Sequence, residues 1–262
     1  MLVIIYCAVL GLLIGSAINA IVWRLYVGRS WAHGRSMCPD CEHPLAARDL
    51  VPVASWVLLR GRCRYCRRRI HWQYPLVELL TAAAFTLSAV VLSPSTLFGY
   101  FSLAGWLVML TLLIILAVYD ARWMILPDKV MVPAIIIALG LVMTYAFLTR
   151  SSGMLAGPLL AAFLAGGFFL LLAVGTKGRG MGGGDVKLVF LMGLILGLKA
   201  TAVALLVAFN VAAVVGVVLI LTHRKKRRDY LPFGPYLIGA TVLAYLYGRD
   251  IAGWYLAMIG LE

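Results

Sequence analysis

Acidic residues are scarce in this chain. Its 262 residues include ten Asp and Glu against 23 Lys and Arg, for a formal charge of +13. Polar residues in general are few: 63% of the chain is hydrophobic, where soluble domains sit near one half. That excludes an ordinary soluble globular domain and predicts an integral membrane protein. Cysteine is also sparse. There are five, four of them in two C-x-x-C pairs and Cys7 alone in an apolar run, a pattern that points to a metal site in a reducing compartment rather than a disulfide framework. The first apolar run, Met1 to Trp23, lacks a basic leader and a convincing small-residue cleavage site, so a retained helix is expected rather than a signal peptide. Neither a thioredoxin-like βαβ unit nor the repeat of an inverted-topology transporter is visible.

The predicted architecture is an all-α polytopic membrane protein with about eight transmembrane helices and a small cytoplasmic zinc-binding insertion after the first. Spans are read near 1–23, 76–93, 98–119, 129–148, 154–175, 186–198, 199–222 and 235–260, each judged against the 17–25 residues that cross a bilayer. Run 186–198 is short enough to need a thin or partly re-entrant passage, and Arg249 and Asp250 interrupt the last. Three domains follow: a first helix at 1–23, a four-cysteine insertion at 24–74, and a membrane domain at 75–262. Gly11, Gly15, Ser16, Ala17 and Ala20 suit close helix packing, and Asn19 is expected to bond between helices. Glu78 reads as an interfacial acid paired with an arginine.

Charge tests the topology. With the insertion on the cytoplasmic side, alternate loops carry 20 of the 23 Lys and Arg, leaving Arg150, Lys199 and Arg249 on the other face. This follows the positive-inside rule and puts Asp120 and Asp185 on the cytoplasmic side. The ten arginines of the insertion, including Arg67-Arg68-Arg69, are compatible with nucleic acid. An anionic membrane surface is preferred because a span follows at once, and no nucleic-acid partner is expected.

Cys38-Pro39-Asp40-Cys41 and Cys63-Arg64-Tyr65-Cys66 lie about 21 residues apart, near zinc-ribbon spacing. Each C-x-x-C is a knuckle offering two thiolates, and two knuckles complete a closed, structural S4 zinc site. Disulfides, free thiols or a redox dithiol are the alternatives. His33, His43 and His71 lie nearby, but four sulfurs suffice. A module this small needs a staple, which zinc supplies.

The chemistry is expected at Gly178-Arg179-Gly180-Met181-Gly182-Gly183-Gly184-Asp185-Val186-Lys187. Ionisable groups at membrane depth are costly and are functional candidates. Asp185 opens one apolar span and Asp120 closes another. If they meet, they form a dyad that shares a proton and activates water for peptide hydrolysis. Gly182, Gly183 and Gly184 free the backbone to receive an extended substrate. Lys187 either snorkels to headgroups or acts on Asp185 through its charge. Asp128 reads most simply as a helix N-cap, and Arg122 could pair with Asp120. Gly178-x-Gly180-x-x-Gly183 spells a dinucleotide fingerprint but follows a membrane helix instead of a strand, so it is set aside. A proton-coupled transporter and a zinc-bearing scaffold with recruiting basic loops remain as alternatives.

Taken together, Gly15-Ser16, Asn19, the four cysteines, Ser55-Trp56, Leu59-Arg60-Gly61-Arg62-Cys63, Tyr74-Pro75-Leu76-Val77-Glu78, Asp120, Leu126-Pro127-Asp128, Gly182-Gly183-Gly184-Asp185-Val186-Lys187-Leu188 and Pro232-Phe233-Gly234-Pro235 resemble the bacterial type IV prepilin peptidases. These are membrane aspartic proteases with a G-x-G-D motif. The resemblance implies cleavage of a short basic leader from type IV prepilins or pseudopilins, after a glycine, at the cytoplasmic face of the inner membrane. It implies Asp120 and Asp185 as the catalytic pair. It further implies N-methylation of the new amino terminus with S-adenosylmethionine, an activity associated with the cysteine insertion. Departures from the family pattern are Arg122, where a second acid is common, His71 and Gln73 before Tyr-Pro, and Ala17 in place of a phenylalanine.

Overall fold

A computed structural model of the protein describes residues 1–30, 34–150, 153–177, 181–226 and 231–258. The order of elements follows from the solvent. In hydrocarbon every backbone polar group must be satisfied within its own segment, so long apolar runs become helices. The long helices are α1 (Leu2–Tyr26), α3 (Gln73–Leu92), α4 (Leu97–Trp123), α5 (Asp128–Thr149), α6 (Gly153–Gly175), α7 (Gly183–Leu221) and α8 (Gly234–Met258); the short α2 (Ala54–Leu58) and a 3₁₀ turn at Ala47–Asp49 belong to the insertion. Six of these helices are long and apolar enough to cross a membrane, which makes the chain a multi-pass membrane protein.

The expected spans 186–198 and 199–222 lie in α7, a 39-residue stretch made of two helices that meet at Gly197. Unbroken, it would run about 58 Å, nearly twice the hydrocarbon thickness. Gly197 (φ 70, ψ 179) breaks it, a conformation only glycine adopts without strain. With that break, the seven long helices make eight helical segments among the described residues, in keeping with the expectation of about eight.

The chain divides into two compact units, Met1–Ile115 and Leu116–Glu262. In the first, α1 lies directly on α3. A Cβ built at Gly11 would come within 2.6 Å of the Ala82 Cα, and one at Gly15 within 2.6 Å of the Glu78 Cα. The expected interhelical bond of Asn19 is present, its Nδ2 donating to the Tyr74 carbonyl at 3.1 Å. In the second unit α7 packs on α6 and α8. The α6–α7 crossing is again backbone on backbone, with a Cβ at Gly193 placed 2.4 Å from the Ala162 Cα. Lipid tails are as apolar as leucine, so small-residue contacts of this kind, rather than burial from water, hold such helices together.

Candidate active site and metal centre

Asp120 sits in the last turn of α4 and is 5% exposed. The helix stops just beyond it. Met124 takes φ 54 and its N–H returns to the Asp120 carbonyl at 2.8 Å, after which Leu126-Pro127 turn the chain into α5. The carboxylate lies on the first residue of α8: Gly234 N–H donates to Asp120 Oδ2 at 2.9 Å. A Cβ at Gly234 would stand 2.6 Å from that same oxygen, so only glycine lets the amide approach this closely.

Asp185 is the third residue of α7. Gly182 caps that helix in extended conformation (φ −76, ψ 150), and its backbone amide lies beside the Asp185 carboxylate. Each acid therefore rests at a helix N-terminus, the positive end of the helix dipole: Asp185 at its own, Asp120 at that of α8. The two carboxylates interact electrostatically, and among the described residues neither forms an ion pair. Two acids that interact at one locus can share a proton.

The other expected site residues divide. A Cβ on Gly184 would press the Leu126 side chain at 3.1 Å, whereas one on Gly183 would meet nothing within 4 Å. Gly184 thus serves packing, while Gly182 and Gly183 are exposed. Lys187 does not snorkel alone. Its Nζ bonds Asp128 Oδ1 at 2.7 Å, with both side chains largely exposed. Asp128 accordingly makes no N-cap: Pro127 holds the cap position without a side-chain bond. Arg122 lies over the Trp123 ring at 5.6 Å and makes no ion pair with Asp120. Gly178, Arg179 and Gly180 lie outside the described residues, as does His33. Gly234 had no role in the reading by residue chemistry. Its only signal was a glycine between Phe233 and Pro235, after a basic loop.

All four cysteines of the insertion, and Cys7 in α1, are free of disulfides. Sγ atoms of Cys38, Cys41, Cys63 and Cys66 all fall within 4.8 Å of one another, a cluster that can hold a metal ion. Two knuckles build it, and they repeat each other. Glu42 N–H returns to the Cys38 carbonyl at 2.9 Å and Arg67 N–H to the Cys63 carbonyl at 3.0 Å. Glu42 (φ 53) and Arg67 (φ 60) are both left-handed. The bridges Met37↔Pro44 and Arg62↔Arg69 close the two loops. Arg68 of the second knuckle pairs with Asp40 of the first at 2.9 Å, and the His43 and Tyr65 rings meet at 3.7 Å.

A tetrahedral ion with bonds of about 2.3 Å to sulfur sets its ligands about 3.8 Å apart; Cys38 and Cys66 Sγ are 3.9 Å apart. Burial pushes the Cys38 thiol up to about 12, whereas the Arg68 N–H holds Cys66 below its ordinary value against the effect of burial. Four crowded sulfurs ionise together only around a cation, because metal binding displaces their protons.

Glu78 is not paired with an arginine. It is buried, accepts the Val53 N–H at 2.7 Å beside the Ser16 hydroxyl, and forms no ion pair among the described residues.

Comparison with known proteins matches residues 9–92 to the bacterial peptidase A24 N-terminal domain and residues 107–221 to the type IV leader peptidase family. Among curated relatives, a prepilin leader peptidase/N-methyltransferase of Bacillus subtilis is 33% identical over 95% of this chain and 96% of its own. One from Aeromonas hydrophila is 39% identical over 85% and 74%. One from Pseudomonas aeruginosa is 31% identical over 100% and 96%. No solved structure matches the chain.

Proposed function

Because this chain belongs to the type IV leader peptidase family, we propose that it is a bifunctional membrane enzyme that removes the leader from type IV prepilins or pseudopilins and methylates the amino terminus so formed. The observation that carries the first activity is that Asp120 and Asp185 interact, each at a helix N-terminus, and that neither forms an ion pair among the described residues. One carboxylate takes a proton from a water as it attacks the scissile carbonyl. The other, protonated, donates to the carbonyl oxygen and supports the tetrahedral intermediate. Collapse breaks the C–N bond, and the leaving amine takes up a proton. Exposed Gly182 and Gly183 give an extended substrate room beside Asp185, and Lys187 holds this rim through Asp128.

Cys38, Cys41, Cys63 and Cys66 are assigned a structural zinc ion. Their spacing and free thiols fit a closed tetrahedral S4 site, and zinc would supply folding energy to the insertion rather than chemistry. S-adenosylmethionine is the methyl donor, as a second substrate. The relatives' bifunctional names support methylation. The enzyme is assigned to the bacterial inner membrane with its aspartates facing the cytoplasm, in keeping with the distribution of Lys and Arg.

The test is processing of a prepilin in membranes carrying the wild type, Asp120→Asn or Asp185→Asn, read by size and by amino-terminal mass. Each variant, folded and inserted, should lose leader removal, and the wild-type product should gain the mass of one methyl group. Normal cleavage by either variant would remove the dyad.

A further inference from the structure

The seam between α1 and α3 contains a second uncompensated polar cluster, far in sequence from the aspartates. Glu78 is 7% exposed and Asn19 is 4% exposed. A carboxylate has about four acceptor positions, and Glu78 accepts one hydrogen bond, from the Val53 N–H, with the Ser16 hydroxyl beside it. One turn along α1, Asn19 Oδ1 is buried without any partner. Turning the amide over does not cure this, because the Nδ2 hydrogens already serve the carbonyls of Gly15 at 3.3 Å and Tyr74 at 3.1 Å; the orientation is set by those two acceptors. Buried acceptors left unmatched are rare and call for a missing donor.

Over this cluster lies a strained turn. Val53 adopts φ 59, ψ −50, a region that β-branched residues avoid, and the turn is closed by Ala54 N–H to the Pro52 carbonyl at 2.5 Å. Its amide is held in that conformation against Glu78.

We infer that the Ser16–Asn19–Glu78 seam binds a primary ammonium group, with the Val53 N–H occupying its place when the site is empty. The chemistry is specific. The unfilled positions are acceptors only and one group is an acid, so the complement is a compact cation with several N–H donors. An ammonium offers three. A hard metal ion would want six or more oxygens, which this seam does not provide. An arriving ammonium takes the Glu78 oxygen from Val53 and lets the turn relax.

The inference rests on the methylation reading, which supplies two such groups: the free amino terminus of the cleaved substrate and the α-ammonium of S-adenosylmethionine. The experiment separates them. Full-length protein in lipid nanodiscs is titrated with S-adenosylmethionine and, separately, with a peptide carrying a mature pilin amino terminus, free or acetylated. Glu78→Gln keeps an acceptor for Val53 and removes the charge. Asn19→Leu removes the unpaired oxygen at similar volume. Both variants should weaken one of the two ligands by about tenfold or more, while bound zinc and leader removal stay at wild-type levels and report that both units are folded. Loss of S-adenosylmethionine affinity assigns the site to the donor. Loss of affinity for the free peptide, with the acetylated peptide unaffected, assigns it to the acceptor. Unchanged binding of both ligands in a folded variant overturns the inference, as does a wild type that binds neither. If Glu78→Gln loses its zinc, Asn19→Leu decides. A wild type that binds an ammonium but adds no methyl to the cleaved product would instead overturn the methylation reading.

Discussion

Glu78 in the first unit and Asp120 in the second are buried by the same device. Each projects from a spanning helix, and each accepts one backbone N–H from a residue far along the chain: Val53 at 2.7 Å and Gly234 at 2.9 Å. Neither pairs with a cation among the described residues. What differs is the neighbour. Asp120 faces a second carboxylate, Asp185, while Glu78 faces a serine hydroxyl and an amide seam. Two acids that disfavour each other's ionisation make a device that can store and move a proton. One acid among neutral acceptors makes a device that holds a positive charge. The surrounding groups, rather than the burial, divide the two roles.

The strongest break of that comparison is neutralisation of one acid at a time. Asp120→Asn or Asp185→Asn should lower the rate of leader removal by at least about 10²–10⁴-fold. Glu78→Gln should leave that rate within about twofold, since general acid–base chemistry is not asked of it. Single-turnover cleavage of a prepilin in membranes gives both numbers. A Glu78→Gln enzyme as dead as the Asp120 variant would end the division of roles.

Gly234→Ala tests the device itself. The added methyl would stand 2.6 Å from Asp120 Oδ2 and 3.0 Å from Cγ. Overpacking costs about 1–3 kcal/mol, and here it falls on a group that must be held in position. Catalytic rate should fall by about 10- to 100-fold, with substrate KM changed far less, because the shift moves a reacting carboxylate. A matching methyl at Gly183, where nothing lies within 4 Å, should leave the rate near wild type unless substrate lies there. A loss expressed in KM would then locate the bound peptide.

Next in size is metal removal. A chelator, or Cys63→Ser, should unfold the insertion, whose small size leaves it without an adequate core of its own. Methyl transfer should vanish with it, while leader removal, served by residues of the second unit, persists. Zinc content and the two products measured on one sample check this. Simultaneous loss of both activities would show that the two units do not act separately.

Acid should act on the same insertion. The Asp49 side chain is 3% exposed and bonds Arg64 Nε at 2.7 Å. It also accepts the Tyr65 hydroxyl at 3.1 Å and the Ala46 N–H at 3.2 Å. Burial alone would raise its pKa, but Arg64, Tyr65 and Ala46 together hold it below the ordinary value. A lowered carboxylate stabilises the fold above its unfolded value, about 3.9, and that contribution is lost as pH falls through the folded value. Wild-type zinc retention should therefore drop below about pH 4 more steeply than that of Asp49→Asn, which has no charge to lose. The difference between the two curves removes the thiols' own response to acid.

Much of this was legible in the sequence. The helical spans follow from apolar run length and the need to satisfy the backbone in lipid, and the two C-x-x-C pairs gave the cysteine cluster because four thiols at knuckle spacing have few other uses. Asp120 and Asp185 stood out because acids at helix ends in membrane are costly. Partnerships across long sequence separations were not legible. Asp128 looks like a cap from its place after Pro127, yet its partner is Lys187, 59 residues away. Glu78 follows an arginine-rich insertion, yet its donor is the Val53 amide. Local spacing carries propensity; it does not carry which loop folds back onto which carboxylate, and that also hid the role of Gly234. The break in α7 was legible too: run lengths marked two segments, and two helices meet at Gly197, beside the expected boundary.

The smallest expected effect concerns Lys187, which the sequence places in the site and the structure joins to Asp128. The pair is close, 2.7 Å, but its side chains are 47% and 63% exposed. Exposed pairs are worth about 0–1 kcal/mol, so Lys187→Met and Asp128→Asn should each lower stability by no more than that. If the pair is their only role, the double variant should lose no more than either single one, since the second change has no interaction left to remove. Cleavage kinetics sharpen the point. A rim held by this pair predicts the same small rise in KM from both substitutions and an unchanged kcat. A fall in kcat from Lys187→Met alone would mean that its charge reaches Asp185 directly, leaving Asp128 as a surface partner of no consequence to the reaction.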